Sequence, residues 1–407
     1  MREDAPSSAA ASPQQGAGGA WSRAKRVTRI VLTGGGTGGH VYPALAVAAA
    51  LKKLRPGAEL LYIGGDRLEA RVVPEAGLQF RAISVHGLAG DIPLARRLRA
   101  ALEIAAWIPL FQSLSLLRGF RPQVVIGTGG YVSGPVLLAA KLMRIPRLAL
   151  DGNRAPGWTS RVVARFVDVM AVACPEMAEF FAARVGKGAR VEVTGLPIRA
   201  DVVAATREQG AKSFGLDASR TTVLVFGGSL GSRRLNEAVR GALRQIGASA
   251  PAARGLQVIH VVGQRYSDHA DEGGTPGVSY QQIPYLESRY AEALAAADLV
   301  ISRSGASTVA ELTACGLPAV LVPWSLASTG EQALNAEPLG RAGAAVVIPD
   351  QELDAKRLAT TLGELLADPE RLARMAEAAK KLGMPGAAEA VAQLALELAA
   401  GGRRREV

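Results

Sequence analysis

The apolar run Arg29-Ile30-Val31-Leu32-Thr33 leads straight into Gly34-Gly35-Gly36-Thr37-Gly38-Gly39-His40, then into Val41-Tyr42-Pro43-Ala44-Leu45-Ala46-Val47-Ala48. A buried strand, a turn without side chains and a helix of small residues open a doubly wound α/β domain. Such a turn aims bare N–H groups from a helix N-terminus, where anions and phosphates are stabilised. Gly34, Gly36 and Gly39 also satisfy G-x-G-x-x-G, and Asp66 stands after the second apolar run, where a dinucleotide fold wants an acidic residue. His40 sets this turn apart. Phosphate loops of nucleotidases carry lysine there, whereas a histidine titrates near neutral pH.

The unit recurs. Thr222-Val223-Leu224-Val225-Phe226 runs into Gly227-Gly228-Ser229-Leu230-Gly231-Ser232. Strands are expected at 28–33, 59–63, 79–83, 123–127, 147–151, 168–173 and 190–194, with helical stretches such as 42–54 and 92–118 between them. A second series follows at 256–262, 278–282, 298–302, 319–322 and 345–348. This predicts two Rossmann-like domains, 27–197 and 198–385, joined near Thr194–Arg199 and facing a shared cleft at their strand C-termini. An Ala/Leu/Glu-rich helix near 386–400, within a C-terminal segment 386–407, is expected to return to the first domain. Residues 1–26 read as a disordered tail without an apolar signal core.

The net charge of +11 favours an anionic partner: nucleic acid, a phosphorylated substrate or an anionic membrane. With only 5% aromatic residues, stacking on single-stranded nucleic acid is disfavoured. Cys174 and Cys315 stand apart, and His40, His86, His260 and His269 are scattered, so no metal centre is expected and a reducing compartment is. No run reaches about 18 apolar residues; the longest, Ile104 to Leu117, contains Pro109, Gln112 and two serines.

Asp298–Arg303 reads as a strand opening into the helix Ser304–Glu311, with Ser304 or Ser307 available as N-cap. Glu311 suits a ribose diol, or is a solvated helix glutamate. After the buried run Leu317–Trp324, the loop Ser328–Gln332 and Asn335 suit sugar hydroxyls, or cap the next helix. Trp107, Ile108, Leu110, Phe111 and Leu114–Leu117, bracketed by Arg96, Arg97, Arg99, Arg118 and Arg121 with Lys141 and Arg144 nearby, fit a peripheral membrane patch, or a core helix with a solvated arginine face.

Taken together, Gly35–His40, Gly129–Pro135, Thr194–Arg199, Gly227–Ser229, Ser302–Glu311, Gly316–Pro318, Gln332 and Asn335 resemble the MurG family, the GlcNAc transferases that make lipid II in peptidoglycan synthesis, over about 29–388. The resemblance implies a GT-B fold and inverting transfer of GlcNAc from UDP-GlcNAc to the C4 hydroxyl of MurNAc in lipid I. It implies His40 as the catalytic-base candidate; the need for a side chain that takes the hydroxyl proton leaves Asp151 as a second candidate. Thr37, Gly38 and Gly39 would touch the donor and the acceptor diphosphate. Arg199 and the backbone near Leu286 would face uracil, Ser229 a donor phosphate, and Ala306, Ser307, Thr308 and Val309 the α-phosphate. Glu311 would hold the ribose and Gln332 the GlcNAc hydroxyls, with Asn153 also on the donor side. Gly36, Tyr131, Ser133 and Asp151 would face the acceptor. Trp107, Leu110, Phe111, Arg97 and Arg118 would form the membrane patch at the cytoplasmic face, with cell-wall and division machinery as further partners.

No cofactor is implied, and no D-x-D motif holds a metal, so helix N-termini must stabilise the leaving diphosphate. The sequence departs from the family at Leu150-Asp151-Gly152-Asn153, where His-Glu-Gln-Asn is usual, at Ser160 in place of Asn, and at Leu230 in place of Gln. Other readings are a related UDP-sugar transferase acting on another glycolipid or natural product, an NAD oxidoreductase using Asp66, and a nucleic-acid module. Outside the turn, His86, His260 and His269 are expected to tolerate alanine.

Overall fold

Ile30, Val31 and Leu32 are fully buried, as a parallel strand covered by helices on both faces requires. They belong to β1 (Arg29–Thr33) in a computed structural model that describes residues 27–85, 107–228, 230–249, 255–266, 277–325 and 330–401. The first sheet adds β2 (Glu59–Gly64), β3 (Gln79–Ala82), β4 (Val124–Gly127), β5 (Arg147–Asp151), β6 (Val169–Val172) and β7 (Arg190–Val193). Its order is β3-β2-β1-β4-β5-β6-β7, all parallel. The second sheet holds β8 (Thr222–Phe226), β9 (Gln257–Val261), β10 (Ser279–Ile283), β11 (Leu299–Ser302), β12 (Ala319–Leu321) and β13 (Ala345–Val347). Its order is β10-β9-β8-β11-β12-β13, again parallel. Strand order reverses between β1 and β4 and between β8 and β11. The loops leaving those pairs diverge and open a crevice at the strand C-termini.

Helix α1 (Gly38–Leu54) starts inside the glycine turn, earlier than the expected residue 42. Thr37 is extended at its N-terminus, and its carbonyl accepts from the N–H groups of His40 (3.1 Å) and Val41 (3.2 Å). The helix Ala387–Gly401 lies on the first domain, where Val391, Ala392, Ala395 and Ala399 join the core of Ile30, Val47 and Leu51. Lys53–Glu389 (2.8 Å) and Arg190–Glu397 (2.9 Å) flank that contact. Where the chain first leaves this domain, Gly195 (φ +79°) packs its Cα where a Cβ would lie 2.7 Å from Met384 Cβ, so only glycine fits. The 92–118 stretch is helical over Ile108–Phe120. The tail 1–26, residues 92–106 with Arg96, Arg97 and Arg99, and also His86, Ser229, His269, Ser328, Thr329 and 402–407, lie outside the described residues.

His260 corrects an expectation. It is fully buried in β9, with Nδ1 2.7 Å from the Tyr280 hydroxyl and Nε2 3.1 Å from Asn236 Oδ1. Asn236 Nδ2 donates to Val262 O (2.9 Å), so Nε2 carries the proton and the ring is neutral. Burial, helped by the Arg240 charge, pushes its pKa down to about 3. Alanine would leave the buried Asn236 Oδ1 without this partner, at about 1–3 kcal/mol. A lowered histidine pKa gives stability that is complete above the unfolded value near 6.5 and is lost as pH falls toward 3, about 2 kcal/mol by pH 5. Glu311, pushed up to about 7, acts in the opposite sense. Denaturant unfolding at pH 5 and 7.5 should therefore show a smaller acid loss in His260→Gln than in wild type. Equal pH dependence in the two proteins rules the effect out.

Candidate active site

On the first domain the glycine turn is shaped by neighbours it does not contain. Tyr62 donates its hydroxyl to Gly34 O (3.0 Å). Glu69, fully buried in α2 (Leu68–Glu75), accepts from Gly65 N at 3.0 Å and from Gly36 N at 3.2 Å. From the loop after β4, Thr128 N donates to Thr33 O (2.8 Å) and Thr128 Oγ1 to His40 O (2.7 Å). The turn thus does not offer every N–H to a ligand, because Gly36 N is held by Glu69. The N–H groups of the first turn of α1, at Gly38 and Gly39, have no intrahelical acceptor and face the cleft.

His40 lies against Gly129, where a Cβ would come within 2.6 Å of the ring, so this loop needs glycine (φ +104°) to admit the imidazole. Burial lowers the His40 pKa below 6.5, opposed by Asp151, a backbone hydrogen bond to Gly35 and Glu69. At pH 7 the ring is neutral and able to accept a proton. Burial raises the Asp151 carboxyl, against hydrogen bonds from Ser160, Asn153 N and Gly157 N and the His40 charge. Its two oxygens hold Asn153 N (3.1 Å) and Gly157 N (3.2 Å), so Asp151 organises the loop after β5.

On the second domain the helix Ala306–Cys315 is headed by Gly305 in an extended conformation, without a side-chain cap. Neither serine caps it: Ser304 Oγ donates to Gln332 O (2.7 Å), and Ser307 lies within the first turn. Ser307 Oγ is buried with no partner among the described residues. Behind it, Arg303 is neutralised by Asp350 (2.6 Å) and donates to Ser232 Oγ (2.8 Å). Glu311 is 9% exposed and accepts from the Tyr290 hydroxyl (2.7 Å). Burial pushes it up to about 7, despite Tyr290 and Arg199. The Arg199 guanidinium lies 5.6 Å from the Tyr42 ring and 5.9 Å from the Tyr290 ring.

The domains meet at these points. A Cβ on Gly39 would lie 3.9 Å from Ser307 Oγ, so the N-termini of α1 and Ala306–Cys315 converge. Arg154 N donates to Asn335 Oδ1 (3.2 Å), while Asn335 Nδ2 donates to Ser304 O (3.2 Å). A small cavity beside this joint is lined by Gly152, Ala306, Val309, Thr313 and Asn335. Two helix N-termini aimed at one space stabilise an anion there.

Residues 30–172 match the glycosyltransferase family 28 N-terminal domain and 222–391 its C-terminal domain. The chain is 42% identical, over 92% of its length and all of the relative, to the UDP-N-acetylglucosamine--N-acetylmuramyl-(pentapeptide) pyrophosphoryl-undecaprenol N-acetylglucosamine transferase of Desulforudis audaxviator. It is also 42% identical to the enzyme of that name from Moorella thermoacetica, covering 91% of this chain and 98% of the relative. The crystal structure of Acinetobacter baumannii MurG superposes with a TM-score of 0.67 at 27% identity, covering 91% of this chain and 99% of that one. This chain belongs to the MurG family. Its two parallel sheets are the GT-B fold.

Against that family pattern, His40, Thr37, Gly38 and Gly39 lie on one wall of the cleft and Ala306, Ser307, Thr308, Val309 and Glu311 on the other. Arg199 lies between them. Ser133 is 1% exposed and its hydroxyl donates to Gly129 O (2.7 Å), with Thr33 O 3.2 Å away, so the hydroxyl serves the loop and not an acceptor substrate. Gln332 and Asn335 sit on the helix Glu331–Arg341, not on a loop. Gln332 Oε1 accepts from Trp324 N (3.0 Å), and both ends of the Asn335 amide are used at the domain joint. The Leu286 side chain is core, with its backbone heading the turn Glu287–Arg289. Tyr131 sits over Gly36 with Arg67 5.7 Å from its ring, and its hydroxyl is buried without a partner among the described residues. Leu110 is 8% exposed and belongs to the first-domain core, which removes it from the surface patch.

Sequence reasoning missed Glu69, Thr128 and Tyr290. Glu69 had one signal: with Val72 and Val73 at i+3 and i+4, it falls on the buried stripe of its helix, an unusual place for a carboxylate. Glu311 yields a prediction. Because the Tyr290 hydroxyl favours the ionised form, Tyr290→Phe should move the Glu311 titration above about 7, read by carboxyl NMR or infrared titration. An unmoved midpoint means the hydroxyl does not hold the charged form.

Proposed function

We propose that this chain carries the activity for which its relatives are named, moving GlcNAc from UDP-GlcNAc to MurNAc of the pyrophosphoryl-undecaprenol-linked acceptor, lipid I. The observation that carries this reading is the meeting of Gly39 and Ser307 across the cleft, with neutral His40 on one side and Glu311 on the other. The first-turn N–H groups of α1 and of Ala306–Cys315, with the Ser307 hydroxyl that has no partner among the described residues, suit the diphosphate. As the glycosidic bond to UDP breaks, negative charge grows on that diphosphate, and preorganised dipoles stabilise it without reorganising. Glu311 accepts from the ribose hydroxyls in its ionised form, and Arg199 with its flanking rings suits the uracil end. On the opposite face His40 takes the proton of the attacking C4 hydroxyl, giving inversion.

In one transfer assay, from labelled UDP-GlcNAc to a lipid I analogue, two variants should separate these roles. His40→Ala should lower kcat by about 10²–10⁴ with little change in donor KM. Glu311→Ala should raise donor KM by roughly 1.5–3 kcal/mol, about 10–150-fold. A wild-type kcat in the first, or an unchanged donor KM in the second, removes that residue from its role.

A lipid-linked acceptor requires docking at a membrane surface. Among the described residues no helix is long and apolar enough to cross one. On the first domain Trp107, Phe111 and Leu142 are 57%, 64% and 59% exposed, and Arg118, Lys141 and Arg144 are exposed on or next to the same two packed helices, Ile108–Phe120 and Ser133–Leu142. Exposed apolar and basic side chains on one helix pair suit the anionic cytoplasmic face. Trp107→Ser with Phe111→Ser should weaken binding to vesicles containing anionic lipid and leave UDP affinity unchanged. Salt should weaken the wild-type interaction as charges are screened beyond about 8–10 Å. Undiminished vesicle binding by the double variant places docking elsewhere.

A further inference from the structure

One peptide group in the first glycine turn faces two side chains. Its N–H, on Gly36, points at Glu69, 3.2 Å from Oε2 and 3.4 Å from Oε1. Its C=O, on Gly35, lies beside the His40 imidazole and acts to raise its pKa. A Cβ at Gly130 would lie 2.3 Å from Gly35 O and 3.3 Å from His40 Nδ1, which places that carbonyl by the Nδ1 edge. Thr37 Oγ1 also lies 3.3 Å from Nδ1. The other edge, Cδ2 and Nε2, faces Gly129. Glu69 is fully enclosed, and a Cβ on Gly35 would lie 2.3 Å from Oε1, so the turn is wrapped on the carboxylate itself.

We propose that Glu69 and His40 form a carboxylate–histidine pair coupled through the Gly35–Gly36 peptide, with Glu69 as a positioning residue that keeps the proton on Nδ1 and leaves Nε2 to act as base. The inference rests on the reading of His40 as the base. A carboxylate accepting from a peptide N–H polarises that peptide and makes its C=O a stronger acceptor. The carbonyl then holds Nδ1–H, and the Nε2 lone pair is the one left free. When the acceptor hydroxyl reacts, its O–H bond breaks, the proton goes to Nε2 and the bonding electrons stay on the attacking oxygen. Glu69 exchanges no proton. It stabilises the imidazolium through the peptide and through space. The other charge facing His40 is Asp151. The groups facing Glu69 are Tyr62 and Tyr131, with Arg67 and Asp66 beside Tyr131.

Glu69→Gln separates charge from shape, because Oε1 alone reaches both Gly36 N and Gly65 N and an amide oxygen can keep both bonds. In the full-length protein with ¹⁵N-labelled histidine, the His40 signal is assigned by its loss in His40→Gln. Wild type should show the Nδ1–H tautomer. Glu69→Gln should lower the His40 titration midpoint and reduce kcat on the order of tenfold, with donor KM unchanged, because a weaker base takes the proton less well. Glu69→Asp, which keeps the charge, should titrate closer to wild type. An Nε2–H tautomer in wild type, or an unmoved midpoint in Glu69→Gln, overturns the pair. A midpoint that moves while kcat stays leaves the pair standing and removes His40 as the base. If Glu69→Gln fails to fold, the wild-type tautomer decides alone.

Discussion

The Gly34–Gly39 turn has no side chain besides Thr37 with which to hold itself, so its shape is imposed by three anchors from other elements. Glu69 grips it from below through Gly36 N and Gly65 N, Tyr62 holds Gly34 O, and Thr128 ties the end of β1 and His40 O to the neighbouring loop. A chain of glycines left to itself samples many conformations, and ordering it costs more backbone entropy than any other residue type. Buried hydrogen bonds to a carboxylate, each about 1.5–3 kcal/mol, offset that cost. The position of His40 and the direction of α1 follow from this one local solution.

The second wall of the cleft is held by a different device. Arg303 leaves the end of β11 beside the ligand space, yet its charge is matched by Asp350 and it bonds Val322 O and Ser232. With both side chains 11% exposed, the pair is desolvated and its value lies in geometry. It fixes the loop that heads Ala306–Cys315 and keeps the helix N-terminus as the dominant positive feature facing an anion. Asn335 then links this loop to the backbone of Arg154, so the two walls are set against each other by an amide with both ends engaged.

Desolvation tunes the two titrating groups toward opposite uses. Burial keeps His40 neutral, and it lifts Glu311 toward neutrality until Tyr290 and Arg199 draw it back to about 7. The same cause makes His260 inert, because its two nitrogens are both satisfied inside the fold. What separates the two histidines is Gly129, which lies against the Cδ2–Nε2 edge of His40 without a side chain, whereas both nitrogens of His260 have side-chain partners.

Much of the fold was legible in the sequence. Parallel strands buried on both faces require unbroken apolar runs, and glycine turns mark where those runs end, so the strands, their alternation with helices and the repeat at Thr222 follow from residues 29–39 and 222–232 alone. The placement of His40 and of Ala306–Glu311 at helix starts was legible for the same reason: each is positioned by the turn and helix next to it in sequence. The rest depended on contacts between distant residues. Glu69 reaches Gly36 across 33 residues and Arg154 meets Asn335 across 181. Leu110 faces the core while Phe111 faces solvent, and Ser133 and Gln332 turn inward to backbone partners. Sequence spacing determines which residues share a strand or a helix face. Only the packing of one element on another decides which face is buried and which polar group is already paired, because burial and hydrogen-bond satisfaction are properties of neighbours in space.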